Sequence, residues 1–212
     1  MAGYTLATLT QAIQDYTDND ETVFVSRIPD FIEAAEERIL KEAPLEVFRK
    51  NSSAPFIAGN RYVPKPSDWL FTYSWKWEDS SGDWHYLLNK DSTFVQEFST
   101  DPTATGDPRY YADHDVFNFI VGPTPSTAYN MIIEFMYRPQ SLTATTGTTQ
   151  TWLSENAGPA LLYGSLVEAY TFMKGEPDMI QQYEQSFQRN LARITTFANA
   201  AEGLDFYRRS KD

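Results

Sequence analysis

The sequence predicts an α+β fold in which helices from both ends of the chain form one bundle. A small antiparallel β domain, sandwich-like or barrel-like, is inserted between them. Apolar residues recur at helical spacing in residues 5–43 and 152–200, whereas the stretch between them changes to a period of two and is broken by turn residues. Because a segment that pairs as sheet cannot continue the flanking helices, we expect the two ends to meet and the middle to be an insertion.

Size and composition limit the classes of protein that fit. The 212 residues suffice for one domain with an insertion or for two small domains. The formal net charge of −12 argues against tight binding of the nucleic-acid backbone, and the absence of cysteine excludes disulfides and Cys-based metal centres. Because no signal peptide and no apolar stretch of membrane-spanning length is recognisable, we expect a soluble protein made in the cytosol.

Two helices are predicted near the start of the chain. The first ends at the polar residues 18–20, which interrupt its apolar face. The second has charged residues opposite its apolar face and should end before Pro44, since proline cannot continue a helix. Pro29 fits either the first turn of this second helix or a kink in it. The apolar positions are Leu6, Leu9, Ile13 and Tyr16 in the first helix and Phe24, Ile28, Phe31, Ile32, Ala35 and Ile39 in the second.

The middle of the chain, residues 45–139, is expected to form the inserted β domain. Its apolar and aromatic residues alternate or run together in short segments that Gly, Pro, Asn and Asp separate. Short strands joined by tight turns are typical of a small antiparallel sandwich or barrel. Residues 92–98 are expected to form one or two helical turns within it. The predicted strands are 45–49, 61–63, 71–78, 84–88, 110–113, 116–121 and 129–137.

The chain is then expected to return to the bundle. Residues 140–151 are poor in apolar side chains and indicate an exposed linker. A long helix follows, and Gly175-Glu176-Pro177 marks its end and the start of another. The last helix has the clearest apolar stripe of the chain, and such stripes are usually core, so residues 1–44 and 152–201 are predicted to form the bundle domain. The stripe consists of Ile180, Tyr183, Phe187, Leu191 and Ile194.

The sequence does not predict a catalytic centre, a cofactor site or a metal site. The chain has only two histidines, and one of them lies in Asp113-His114-Asp115, where neighbouring side chains point in different directions and share no coordination geometry. Nucleotide-binding and hydrolase motifs are missing. We therefore expect a protein that is not an enzyme and that holds neither cofactor nor metal.

Aromatic residues concentrated in the β domain indicate an interaction surface. Trp75 and Trp77 share a strand face by the period of two, and Trp84 begins the next segment. We expect this surface to pack on the second sheet or on a neighbouring subunit, because large exposed apolar patches normally mark protein interfaces. Stacking of sugar rings on the same residues is the alternative, and it would make the protein a carbohydrate-binding module.

The end of the chain, residues 202–212, combines large apolar groups with cations. Aromatic and Arg residues are common among the residues that contribute most to interfaces, so this tail is predicted to order on a partner. A frayed helix end of chance composition is the alternative. The residues concerned are Leu204, Phe206, Tyr207, Arg208, Arg209 and Lys211.

Several short segments act together as a family signature. Each is a packing signature rather than a catalytic motif, so their specificity comes from their order along most of the chain. They are Glu36-Glu37-Arg38-Ile39 before Pro44, Val63-Pro64-Lys65-Pro66-Ser67-Asp68-Trp69, Pro108-Arg109-Tyr110-Tyr111-Ala112, and Thr151-Trp152-Leu153-Ser154-Glu155-Asn156 leading into Leu161-Leu162-Tyr163-Gly164-Ser165-Leu166-Val167-Glu168-Ala169-Tyr170. In this order they resemble the head-to-tail adaptor proteins of tailed bacteriophages, particularly short-tailed ones.

The resemblance implies a structural role in the virion, at the head–tail junction. Proteins of this kind form a ring, typically of twelve copies, between the portal and the tail nozzle or other tail proteins, and the genome passes through the channel without specific binding. The portal-docking tail would correspond to residues 202–212, with Leu204, Phe206, Tyr207, Arg208 and Arg209 as anchors. Trp75, Trp77 and Trp84 would meet neighbouring subunits or the nozzle. The alternative is a carbohydrate-binding module of a phage tail, and neither function involves a membrane.

Overall fold

The structure is a computed structural model and describes residues 3–43, 45–144 and 149–199. The chain forms two compact units. The helical unit comprises the residues up to Val47 and from Pro139 onward, and the β unit is Phe48–Arg138. This confirms the predicted α+β fold, in which helices from both ends form one bundle and a β region is inserted between them.

Helices make up most of the helical unit, and one short helix belongs to the β unit. In chain order they are α1 Leu6–Thr17, α2 Thr22–Glu42, α3 Ser92–Phe98, α4 Trp152–Asn156, α5 Gly158–Phe172 and α6 Pro177–Asn199. The helix α3 confirms the helical turns predicted within the β region. Among the described helices, none combines the length and the apolar composition that crossing a bilayer requires.

The ends of α1 follow from its local sequence. The backbone N–H of Thr8 donates to the hydroxyl of Thr5, and the backbone N–H of Thr5 donates to the hydroxyl of Thr8. This reciprocal cap satisfies N–H groups that have no partner within the helix. Asp18 adopts a left-handed conformation with φ of 46° and ends the helix, as the predicted break at residues 18–20 requires.

The second helix contains a proline in its interior. Because α2 begins at Thr22, Pro29 lies in the helix interior, and of the two positions that the sequence allowed the first turn is ruled out. The helix ends at Glu42. Pro44, which was predicted to stop it, lies outside the described residues.

Helix α5 lies at the centre of the helical unit and packs against α1, α2 and α6. Gly164 permits the close approach, because a Cβ there would lie 2.9 Å from the Cβ of Ala35 and 3.1 Å from the ring of Phe187. The α6 stripe is buried against this centre, which confirms its prediction as core; Ile180 is half-buried and the other four positions are buried.

The β unit contains two four-stranded sheets and a separate pair of short strands. The sheets have the strand orders β1-β10-β3-β4 and β2-β8-β7-β5, and the pair is β6-β9. The strands are β1 Arg49–Pro55, β2 Tyr62–Pro64, β3 Trp69–Glu78, β4 Trp84–Tyr86, β5 Leu88–Asn89, β6 Thr105–Gly106, β7 Tyr110–Asp113, β8 Asn118–Gly122, β9 Thr124–Pro125 and β10 Asn130–Tyr137.

Pairing is antiparallel except between β5 and β7 and between β6 and β9, which are parallel. The first parallel pair arises because the β4–β5 segment leaves the first sheet and enters the second. The N–H of Leu87 donates to the carbonyl of Trp75 in the first sheet, whereas the N–H of Leu88 donates to the carbonyl of Arg109 beside β7. The sequence did not predict this change of sheet.

The start of the β unit also differs from its prediction. Residues 46–48 form a short 3₁₀ turn where a strand had been expected, and β1 follows it. This strand is polar and almost fully exposed because it lies at the edge of its sheet. An edge strand exposed on both faces has no apolar alternation, so periodicity alone could not find it.

Candidate interaction surfaces

The structure places Trp75 and Trp77 in the core of the β unit, at 1% and 3% exposure. The ring of Trp75 lies 5.1 Å from that of Phe119 and 6.0 Å from that of Phe56, and the indole N–H of Trp77 donates to the carbonyl of Pro108 at 2.9 Å. Their predicted role as surface contacts is therefore corrected, since buried rings reach neither a neighbouring protein nor a sugar.

A bulge in β3 explains how its aromatic residues are divided between the two faces. The pairing of β3 with β10 skips Tyr73, which is an extra residue on β3. On one side of the bulge Trp75 and Trp77 face the core, whereas Phe71 on the other side is 38% exposed. The period of two correctly predicted that the two tryptophans share a face. Of the two partners expected for that face, the second sheet is confirmed, because Phe119 and Val121 of that sheet lie in the same core.

Trp84 differs from the other two tryptophans because it is 40% exposed. It begins a row of exposed side chains along β4 and β5 that continues with Tyr86 and Leu88, at 61% and 57% exposure. The ammonium group of Lys76 lies 4.7 Å from the ring centre of Trp84 and 6.0 Å from that of Tyr86. Such cation–π contacts add a positive charge to the row.

The row continues onto α3. Leu88 is the register partner of Tyr110 in β7, and the ring of Tyr110 lies 5.2 Å from Phe94 and 4.8 Å from Phe98. The two phenylalanines are 39% and 46% exposed, and Lys90 lies 5.5 Å from the ring of Phe94. We call these neighbouring side chains together the apolar patch; it consists of Trp84, Tyr86, Leu88, Phe94, Phe98 and Tyr110.

A second exposed apolar feature is the hairpin tip, residues 113–117, between β7 and β8. Val116 and Phe117 are 81% and 76% exposed, the largest values among the exposed large apolar side chains. They were predicted to begin a strand, but β8 begins at Asn118. The signal in the sequence that could have found this feature is the position of Val116 and Phe117 directly after the turn residue Asp115.

The hairpin tip is held in shape by Asp115. Its carboxylate accepts hydrogen bonds from the N–H groups of Phe117 and Asn118, both at 2.7 Å, and from the side-chain amide of Asn118. The amide and these N–H groups lower the pKa of Asp115. The ammonium group of Lys65 contacts the Asp113 carboxylate at 2.7 Å and donates to the Asp115 carbonyl at 2.6 Å. These contacts tie the turn together through Asp115 and Lys65.

The Asp113-His114-Asp115 segment lies in this turn. Across residues 3–43, 45–144 and 149–199, no three His, Asp or Glu side chains come together in a way that would hold a metal ion. In the Asp113-His114-Asp115 segment, each member instead has a separate structural contact: Asp113 with Lys65, His114 with Ser92 and the ring of Tyr62, and Asp115 with Asn118.

In the helical unit, one charged cluster joins α2 to α6. The guanidinium group of Arg38 donates to both carboxylate oxygens of Glu184, at 2.8 and 3.1 Å, and lies 4.4 Å above the ring of Phe187. The hydrogen bond from Arg38 lowers the pKa of Glu184. Gln188 bridges Glu184 and Glu42. Arg38, on the charged side of α2, thus packs against α6.

Glu36, next to this cluster in sequence, is buried. Its burial raises the pKa of the carboxyl group, while hydrogen bonds from Ser141 and from the backbone N–H of Leu142 act in the opposite direction. The N–H of Leu142 donates to the Glu36 carboxylate at 3.0 Å. Glu36 therefore fixes the start of the segment that returns from the β unit to the helices.

The predicted docking residues Leu204, Phe206, Tyr207, Arg208 and Arg209 lie outside the described residues, so their role stays a prediction. Thus, of the eight residues that the sequence analysis selected for interfaces, the described structure leaves Trp84 at the surface and places two tryptophans in a core.

Comparison with known proteins gives one family. The sequence model of a family described as SU10 adaptor protein matches residues 4–207. The match covers both units and nearly the whole chain. No curated protein matches the sequence significantly.

Proposed function

The chain belongs to the SU10 adaptor protein family, and on that basis we propose that it forms a ring between the portal and the tail nozzle of a phage. The family establishes a phage adaptor with a structural role. The proposal adds the finer assignment: a ring of twelve copies, attachment to the portal on one side and to nozzle or other tail proteins on the other, and a central channel for the genome.

The family match across residues 4–207 is the observation that carries this proposal. Two properties of the chain support it. The β unit exposes groups of large apolar side chains, among them the apolar patch and the hairpin tip, as a subunit of an assembly is expected to do. The net charge of −12 favours a conduit over a nucleic-acid binder, because an acidic wall repels the phosphate backbone and lets DNA pass without being held.

Direct imaging tests the ring. We expect electron microscopy of the purified protein, alone and mixed with the portal protein of the same phage, to show closed rings. A protein that remains monomeric in both samples would contradict the proposal. Counting the subunits in class averages tests the number twelve separately from the existence of a ring.

Residues 204–212 are proposed to dock on the portal. Their apolar and cationic side chains, among them Phe206, Tyr207 and Arg208, are of the types that contribute most to protein interfaces. A chain that ends at Gly203 is expected to keep its melting temperature and to lose most portal binding in a pull-down. The Arg208→Ala/Arg209→Ala variant keeps the full length of the chain, so it separates the effect of the side chains from that of the truncation. It should lose part of the portal binding. Unchanged portal binding by the shortened chain would refute the assignment.

A further inference from the structure

We propose that the hairpin tip of one copy docks on the apolar patch of the next copy. The proposal rests on the ring proposed above and names the surfaces through which its subunits contact each other. Both surfaces lie within the β unit, and apart from the half-buried Tyr110 their large apolar side chains are exposed in the single chain.

The apolar patch has the composition of an interface. Aromatic side chains dominate it, and it extends from Trp84 through Leu88 to Phe98. Aromatic residues, Trp and Tyr above all, are enriched where protein partners bind most strongly. Among the described residues, Lys76 and Lys90 contact rings of the patch but form no ion pair. The patch therefore fits a partner that brings apolar side chains together with negative charge.

The hairpin tip supplies this combination. Val116 and Phe117 project two apolar side chains, and Asp113 and Asp115 flank them with carboxylates. Although Asp113 is paired with Lys65, its side chain is 61% exposed and open to a second cation. The hydrogen bonds to the Asp115 carboxylate hold the turn in one shape, so little conformational entropy is lost when it docks.

The two surfaces occupy different parts of the β unit. The strands β5 and β7 run in parallel, with Leu88 level with Tyr110. Trp84 and Tyr86 precede Leu88 along the chain and lie towards the start of the parallel pair, whereas the hairpin tip lies beyond the end of β7. No residue belongs to both surfaces. If two copies exchanged tip and patch reciprocally, the contact would be isologous and the assembly would end at a dimer; in the proposed ring the tip of each copy meets the patch of the next, which is a heterologous contact. Heterologous contacts generate rings when the rotation between copies closes.

The absence of cysteine allows a direct test by disulfide trapping. The Val116→Cys/Tyr86→Cys variant places one thiol on each surface, and a disulfide forms only if the two Cα atoms come within about 7 Å. Under mild oxidation we expect a ladder of cross-linked dimers, trimers and larger species on a non-reducing gel. A mixture of the two single variants should stop at the dimer. The matched control is Val116→Cys/Ile57→Cys, because Ile57 is 62% exposed in the same unit but lies in neither surface.

A substitution provides a second, independent readout. Phe117→Asp should weaken self-association about tenfold or more, because it removes an apolar anchor and places a charge against the patch. Its melting temperature should stay that of the parent, because the side chain is 76% exposed. Ile57→Asp makes the same chemical change at a similarly exposed position and should leave association unchanged.

The outcomes separate this proposal from the proposed function when the oligomeric state of the parent is measured by mass photometry in the same buffer. Rings with cross-linking between positions 116 and 86 support both. Rings in which positions 116 and 86 do not cross-link overturn the tip-to-patch contact and leave the ring standing. Cross-linked dimers from a protein that forms no ring support the contact and contradict the ring, and monomers without cross-links overturn the contact.

Discussion

Two apolar stripes of this chain differ greatly in burial. The α6 stripe, represented by Tyr183 and Phe187 at 7% and 0% exposure, is covered by the other helices. The row along β4 and β5, represented by Tyr86 and Leu88, is 57–61% exposed. The period of a pattern thus predicts which side chains share a face, but whether the partner of that face belongs to the same chain is decided by the fold.

The largest effect on stability is expected from the buried stripe. Phe187→Ala should lower the free energy of unfolding by about 3–5 kcal/mol, because the ring is fully buried beside Gly164 and the truncation leaves a cavity. Tyr183→Ala should act in the same direction. Far-UV circular dichroism during thermal or denaturant unfolding measures the change, and Phe187→Leu, which retains most of the volume, serves as the control. A melting temperature within a degree of the parent would show that the stripe is not core.

Most elements of the fold could be predicted because their signals are local. The α6 stripe, the break after α1 and the segment 92–98 each depend on a few neighbouring residues, and all were confirmed. Strand β1 was missed because its exposure on both faces removes the alternation on which the prediction depends. The parallel pairing of β5 with β7 was missed because it follows from where Leu87 and Leu88 find their carbonyl partners, which is a tertiary property.

The interaction surfaces were less predictable for the same reason. Spacing correctly placed Trp75 and Trp77 on one face, but the direction of that face depends on the pairing of β3 with β10 and on the bulge at Tyr73. The contact between Arg38 and Glu184 joins residues 146 positions apart in sequence. The hairpin tip was within reach of sequence analysis, since Val116 and Phe117 directly follow the turn residue Asp115.

A smaller effect is expected from the cluster that joins α2 to α6. Arg38→Met should lower the free energy of unfolding by about 1–2 kcal/mol, because it removes the hydrogen bonds from the guanidinium group to Glu184 and Glu42 and the contact with Phe187. Arg38→Lys keeps the charge but not the planar fork, so it should lose a substantial part of the same stability. Both values are measured by urea unfolding at pH 7. If Arg38→Met left the free energy of unfolding unchanged, the cluster would add nothing to the stability of the contact between α2 and α6.

The pH dependence of this variant gives a further check. The pKa of Glu184 is lowered in the folded protein, so its contribution is present above the ordinary range of a glutamate and is lost as the pH falls through the lowered pKa. The difference between parent and Arg38→Met should therefore shrink in acid. A difference that stays constant down to about pH 3 would mean that the lost packing on Phe187 accounts for the effect.

The buried carboxyl group of Glu36 should show the opposite sign. Because burial raises its pKa, the contribution of this group to stability is present below the ordinary value and is lost as the pH rises through the folded pKa. Glu36→Gln keeps an acceptor for the N–H of Leu142 and removes the charge, so it should raise the free energy of unfolding at pH 7 by on the order of 1 kcal/mol. At about pH 4 the gain should be smaller. Destabilisation at pH 7 would show that the ionised carboxylate is needed for the hydrogen bond.

The smallest change in stability is expected at the exposed row along β4 and β5. Tyr86→Ser should alter the free energy of unfolding by less than about 0.5 kcal/mol, because the side chain is 61% exposed. Trp75→Ala, in the same unit but at 1% exposure, should cost about 3–5 kcal/mol. If Tyr86→Ser proved as damaging as Trp75→Ala in thermal unfolding, the row would be part of the fold of the single chain. If Tyr86→Ser is as stable as the parent, the row of three exposed apolar side chains is not needed for the fold of the single chain, and contact with another molecule accounts for it. Any loss of self-association in this variant then measures the loss of that contact and not a loss of stability.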